Sequence, residues 1–136
     1  MQLIEHPPTV ELVVVDGDDL VLVRQTRPGS RSRTLELPSG KLENGETPAE
    51  AAARELAEEC GLSASSLREL GSFWAAPAYS TELVHVFEAT GLAAADPAAL
   101  DDDEDIEVER LPLAGALDRL DDARAIAALT IWLERR

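Results

Sequence analysis

The chain has 136 residues, and its 12 Lys+Arg against 27 Asp+Glu leave a formal net charge of −15. That length holds one domain, 1–136, with a real core, and a hydrophobic share of 45% rules out an acidic disordered tail. The charge argues against nucleic-acid polymers and anionic membrane surfaces, no apolar run nears the ~20 residues of a membrane span, and a single cysteine, Cys60, excludes a disulfide framework or a cysteine-rich zinc site.

The N-terminus, Met1 to His6, carries no basic region followed by an apolar stretch, so no signal peptide is expected and a cytoplasmic location is the expectation. Thr9–Val15 is β-branched and alternates loosely, which predicts a strand. Asp16-Gly17-Asp18-Asp19 is a turn, and Leu20–Gln25 returns as the second strand of a hairpin. A loop over Pro28–Arg33 leads to a short strand at Thr34–Leu37, stopped by Pro38-Ser39-Gly40.

Thr47-Pro48-Ala49-Glu50 is a helix start: Thr47 as N-cap, Pro48 at the first helical position, Glu50 completing a capping box. Good helix formers run to Cys60, and Gly61 is placed to end the helix in the left-handed conformation. Leu67–Trp74 and Glu82–Ala89 read as strands joined by a loop over Ala75–Thr81. The Ala-rich Gly91–Leu100 reads as loop, Ile106–Leu111 as a last strand, and Pro112–Leu120 and Asp122–Glu134 as helices. In the final helix Ile126, Leu129 and Leu133 are expected to form the buried stripe, and Trp132 to pack. The sum is a mixed α/β domain.

The charges are unevenly spread. Arg24, Arg27, Arg31, Arg33 and Lys41 form a basic segment, followed at once by Glu43, Glu46, Glu50, Glu55, Glu58 and Glu59. A second acidic block runs from Asp101 to Asp105, with Glu107 and Glu109 beyond. Such runs are commonly solvated surface; they also suit a site that holds divalent cations on carboxylates and an anion on arginines. On the helix, Glu55, Glu58 and Glu59 stand at i, i+3 and i+4, on one face. Like charges at that spacing repel. Hard oxygen ligands on one rigid face also suit Mg²⁺ or Mn²⁺, which would relieve the repulsion.

The segment Gly40–Leu62, GKLENGETPAEAAARELAEECGL, resembles the signature of the Nudix hydrolases: Gly40, Glu46, Arg54, Glu55, Leu56, Glu58, Glu59, Gly61 and Leu62 stand at its specified positions. The resemblance implies a Nudix-type α/β/α sandwich with a mixed, partly antiparallel sheet, and metal-dependent cleavage of a nucleoside diphosphate linked to another moiety. It implies Mg²⁺ or Mn²⁺ as cofactor, with Glu55, Glu58, Glu59 and the Ser39 carbonyl as metal ligands. Gly40, Glu46, Arg54 and Gly61 take structural roles, with Glu46 the partner of Arg54.

The flanks resemble the ADP-ribose and nucleotide-sugar pyrophosphatase branch: Val23 to Pro28, Leu35 to Lys41, Phe73 to Glu82 with Pro77 sixteen residues past Gly61, and Asp103 to Val108. That implies substrate contacts from Arg24, Arg27, Glu36, Lys41 and Pro77, and a role for Glu82 in binding substrate or the catalytic water. It also implies a catalytic base or further metal ligand on the acidic loop, with Glu104 the first choice and Asp102 and Asp103 behind it. The expected partner is a small nucleoside diphosphate derivative, ADP-ribose or a nucleotide sugar, and the resemblance allows a homodimer. Tyr79, eighteen residues past Gly61, keeps open a dinucleoside polyphosphate or nucleoside triphosphate substrate, and a non-catalytic nucleotide-sensing domain is the remaining alternative.

Overall fold

The computed structural model describes residues 2–102 and 105–136. β1 (Thr9–Asp16) and β2 (Asp19–Arg27) form the hairpin, closed at the Asp16–Asp19 pair, with Gly17 in the left-handed conformation at φ 62° that a two-residue turn requires. β3 (Ser32–Glu36) lies antiparallel to β2, and the short β4 (Ser39–Lys41) antiparallel to β1. α1 spans Pro48–Cys60. β5 (Leu62–Trp74) and β6 (Leu83–Ala94) pair antiparallel, and β6 runs parallel to β1. β7 (Glu107–Pro112) returns to β2, and α2 (Ala123–Arg135) ends the chain. Among the described residues the sheet is mixed, with strand order β3-β2-β1-β6-β5 and β4 and β7 paired off that path.

β1 sits inside this sheet with both faces covered, and its two-residue side-chain period divides the core. Val10, Leu12 and Val14 join Ala51, Ala52 and Leu56 of α1 and Phe87 of β6. Val13 faces the other way and joins Leu20, Leu22, Leu35 and Val86 with Ala125, Ala128, Leu129 and Trp132 of α2. The result is the expected α/β/α layering. The same alternation turns Glu11, flanked by apolar neighbours, toward α2, where it lies near Arg124. Each fully buried leucine, such as Leu12 or Leu56, is worth about 2–5 kcal/mol against truncation to alanine.

The ends of α1 are set locally. Thr47 Oγ1 accepts the Glu50 N–H at 3.2 Å, Glu50 Oε1 accepts the Thr47 N–H at 3.0 Å, and Gly61, at φ 67°, returns its N–H to the Ala57 carbonyl. The helix therefore begins and ends without tertiary help.

Several boundaries differ from the sequence reading, and a strand, β4, stands at Ser39–Lys41 where a stop is expected. β5 starts at Leu62, five residues before the expected strand, and β6 continues to Ala94, into the Ala-rich Gly91–Leu100 stretch that the sequence reads as loop. Pairing of Leu62 with Ala94 and Ala64 with Leu92 overrides weak strand propensity. The helix expected over Pro112–Leu120 shrinks to a 3₁₀ turn at Ala116–Arg119, because Pro112 still pairs with Asp19 and Gly115 turns left-handed at φ 79°. On α2 the buried stripe is Ala125, Ala128, Leu129 and Trp132, while Ile126 is exposed. Trp132 Nε1 donates to Glu88 Oε2 at 2.7 Å, so the indole fixes the helix's rotation. No helix among the described residues is long and apolar enough to cross a membrane.

Candidate active site

Leu56, fully buried against β1, fixes how α1 lies on the sheet. That orientation sends Glu55 and Glu59, one turn apart, toward β4. Glu59 Oε1 accepts the Ser39 N–H at 2.8 Å. Glu55 lies so close to the next residue that a Cβ on Gly40 would stand 2.1 Å from its carboxyl carbon. Only glycine admits that approach.

Arg54 gathers the surrounding carboxylates. Its Nε donates to Glu46 Oε2 at 2.8 Å and Nη2 to Glu46 Oε1 at 3.0 Å, a bidentate pair. Nη1 donates to Glu55 Oε1 at 2.8 Å and to Glu58 Oε2 at 3.1 Å, and Nη2 also reaches the Lys41 carbonyl. Arg54 thus ties the loop, β4 and α1 together, and its charge partly offsets the repulsion between Glu55 and Glu58.

The repulsion is not fully relieved. Burial pushes the Glu59 carboxyl up to about 8; the Ser39 N–H pulls it down and the Glu55 charge raises it further. Glu55 is also raised, by burial against the pull of Arg54, with Glu58 and Glu46 adding to it. Glu46, by contrast, is held below the usual carboxylate range by its hydrogen bonds from Arg54.

This donor set suits a hard divalent cation: two half-buried carboxylates, destabilised as anions, against a glycine that leaves them room. Glu59 and Glu55 are the residues that would hold it. Glu58, the third expected ligand, shares Arg54 Nη1 with Glu55 and lines a further cavity together with Glu59; among the described residues no three His, Cys, Asp or Glu stand grouped at ligand spacing. Glu104 and Asp103 lie outside the described residues. Asp102 is exposed. Asp105 accepts from the Thr26 N–H at 3.0 Å and from Arg33 Nη1 at 2.6 Å, which anchors the far end of the acidic loop to β2 and β3.

Beside Glu59 opens a cavity of about 390 Å³. β4 supplies Ser39, Gly40 and Lys41, β2 supplies Gln25 and Arg27, and Thr9, His6 and Arg124 complete the wall. Arg27 is braced by Glu36: Nε donates to Oε2 and Nη2 to Oε1, both at 2.8 Å. Burial opposes ionisation of Glu36, yet Arg27 and the Thr34 hydroxyl outweigh it and hold the carboxyl low. Glu36 is 2% exposed, so it aims Arg27 rather than meeting solvent.

Other expected site residues are placed elsewhere. Arg24 is three residues from Arg27, an odd offset that sends the two side chains to opposite faces of β2. It lies over β7, where Nε and Nη2 donate to Glu109 at 3.0 and 3.2 Å. Pro77 and Tyr79 are exposed in the turn between β5 and β6, and Ile4 runs beside that turn, donating its N–H to the Tyr79 carbonyl at 2.7 Å. Glu82 is buried behind the cavity, accepting from Thr9 Oγ1 at 2.8 Å and Arg124 Nη1 at 3.1 Å. Cys60, at the end of α1, is pushed up to about 12 by burial, which keeps its thiol protonated and inert.

Sequence reasoning missed Thr9, Gln25, His6, Arg124 and Glu11. Glu11 had a signal: a carboxylate between Val10 and Leu12 in an otherwise apolar strand. It is fully enclosed, its Oε2 has no hydrogen-bond partner among the described residues, and burial raises its carboxyl well above the usual range. Arg124 had none, since it lies far along the chain and reaches the site only through the packing of α2.

The NUDIX domain family model matches residues 5–133. An ADP-ribose pyrophosphatase of Bacillus subtilis (strain 168) is 35% identical over 133 residues, 96% of this chain and 72% of that protein. A methanol dehydrogenase activator of Bacillus methanolicus is 33% identical over 132 residues, 96% of this chain and 71% of that one. Among solved structures, an ADP compounds hydrolase superposes with a TM-score of 0.85 at 29% identity, covering 94% of this chain and 71% of that chain. Nudix hydrolases generally use a divalent metal, in keeping with the paired carboxylates of α1. The chain belongs to the Nudix hydrolase family.

Proposed function

We propose that this enzyme hydrolyses the diphosphate linkage of ADP-ribose or a related nucleotide sugar, with Mg²⁺ or Mn²⁺ as cofactor. The observation that carries the reading is the half-buried Glu59 carboxyl, held by the Ser39 N–H at 2.8 Å, in the wall of a cavity that Arg27 and Lys41 also line. Cation-binding and anion-binding groups thus face one space of the size a nucleotide needs. The name of the Bacillus subtilis relative supports the choice of ADP-ribose.

In this reading Glu59 and Glu55 hold the metal, with the Ser39 carbonyl as a further ligand. A divalent ion held there would offset the diphosphate charge and would make water a stronger acid. Arg27, held rigid by Glu36, donates to a phosphate oxygen, and Lys41 adds positive charge at the rim. The acidic loop supplies the base, with Glu104 the first candidate to take the water proton.

A hydrolysis panel tests this. Purified enzyme is offered ADP-ribose, nucleotide sugars, dinucleoside polyphosphates and nucleoside triphosphates, with Mg²⁺, Mn²⁺ or chelator. AMP released from ADP-ribose only with divalent metal is the expected result. Failure to cleave ADP-ribose or any nucleotide sugar would overturn the proposal.

A further inference from the structure

Arg124 opens α2, just past the helix's N-cap Asp122. It lines the cavity that holds Glu59, and also a second cavity of about 280 Å³ lined by Thr34, Glu36 and Asp121. Arg27 lines both as well, so the two guanidinium groups stand where the cavities adjoin.

A guanidinium carries five N–H donors. Among the described residues Arg124 commits one hydrogen bond, from Nη1 to Glu82 at 3.1 Å. Its other ion pairs are longer than hydrogen bonds: Nε lies 3.8 Å from Glu11 Oε1 and 3.9 Å from Asp122 Oδ1. The side chain keeps 26% of its surface exposed, although the carboxylates behind it are 1% and 11% exposed. Glu82 is itself held by Thr9 Oγ1 at 2.8 Å. So the head group is fixed on one edge by buried acids, and its remaining donors are available to the cavity. A purely structural ion pair would use those donors on the protein.

Resting on the reading of the cavity as a diphosphate site, we propose that Arg124 is a substrate-binding residue. Its guanidinium, aimed by Glu82 and backed by the buried Glu11, donates to the diphosphate from the α2 side of the cavity, while Glu59 lies on the α1 side. A group with two adjacent phosphates is what two neighbouring guanidinium groups fit best, because each planar fork can take phosphate oxygens in pairs.

The test uses the full chain with Mg²⁺ in two assays: steady-state hydrolysis of ADP-ribose, and calorimetric titration with inorganic pyrophosphate. Loss of charge-assisted hydrogen bonds predicts that Arg124→Ala raises KM and weakens pyrophosphate binding by roughly ten- to a hundredfold, with kcat within about threefold of wild type. Arg124→Lys should recover part of the loss, since it keeps the charge and loses the fork. Glu82→Gln should raise KM about threefold to tenfold by loosening the aim. Arg110→Ala, which removes an exposed pair with Asp16 outside the cavity, should match wild type. KM and pyrophosphate affinity within about twofold of wild type in Arg124→Ala would overturn the proposal. If that variant does not fold, Arg124→Lys and Glu82→Gln decide: wild-type KM in both overturns it equally. Should wild type cleave no ADP-ribose or nucleotide sugar, the reading of the substrate fails, and the pyrophosphate titration still decides Arg124.

Discussion

Glu59 Oε1 accepts the backbone N–H of Ser39 at 2.8 Å, across twenty residues of chain, and so joins the last turn of α1 to β4. The same carboxyl is pushed up to about 8 by burial. It therefore has a structural bond that survives removal of its charge, while the metal-holding role proposed for it does not.

Glu59→Gln separates the two. The amide oxygen can still accept from Ser39, so the fold should hold. Loss of the proposed metal ligand should cut kcat by about a thousandfold or more. Steady-state rates with Mg²⁺, beside circular dichroism of the same sample, check this; a rate within tenfold of wild type would remove Glu59 from the metal site.

Stability of the metal-free protein should depend on pH through the same group. The folded value, about 8, lies above the ordinary 4.5, so the folded state binds more protons in that interval. The contribution is fully present below 4.5 and is lost as pH rises through about 8. The melting temperature of wild type should fall relative to Glu59→Gln over that interval. Parallel melting curves would contradict the assignment.

Divalent metal should reverse that loss. An ion that binds only the folded, deprotonated pair of Glu55 and Glu59 stabilises by mass action, about 2.7 kcal/mol at a hundred times its Kd. Thermal melts with saturating Mg²⁺ should shift upward for wild type and barely for Glu59→Gln. An unchanged wild-type melting temperature would count against the site.

Gly40→Ala should damage activity more than stability. The added Cβ would lie 2.1 Å from the Glu55 carboxyl carbon, a side chain that can swing away, so the fold gives way locally. Swinging Glu55 out would take it from the metal site proposed for it. The expectation is a drop of about tenfold or more in kcat/KM with a loss of only about 1 kcal/mol in chemical denaturation.

Arg54→Ala should do the opposite. It leaves Glu46, Glu55 and Glu58 without their shared cation in a partly buried cluster. A loss of about 2–4 kcal/mol is expected, and Glu46→Gln should cost less because the amide can still accept from Arg54. A double-mutant cycle between Arg54 and Glu46 should show coupling above about 1 kcal/mol.

The local elements were legible because their causes are local. Thr47 and Glu50 cap α1 with their own side chains, Gly17 and Gly61 adopt conformations that neighbours resist, and β1 alternates with the period of a strand. The positions of Glu55 and Glu59 on one helical face follow from 3.6 residues per turn. The extended ends of β5 and β6 were not legible, since Ser, Ala and Gly become strand there only by pairing with each other across a hairpin.

By itself, then, the sequence determined the helix of α1, its carboxylate face and the family to which the chain belongs. Tertiary structure decided which charges act together. It sent Arg27 into the cavity and Arg24 away from it, turned Glu58 to Arg54, buried Glu11 and Glu82 behind the site, and brought Arg124 from the start of α2 to the same wall as Ser39. The physical reason is that a charge's role depends on what faces it through space. Helix and strand periods govern only neighbours along the chain, while the packing of α2 and the crossing of β1 between β2 and β6 set the rest.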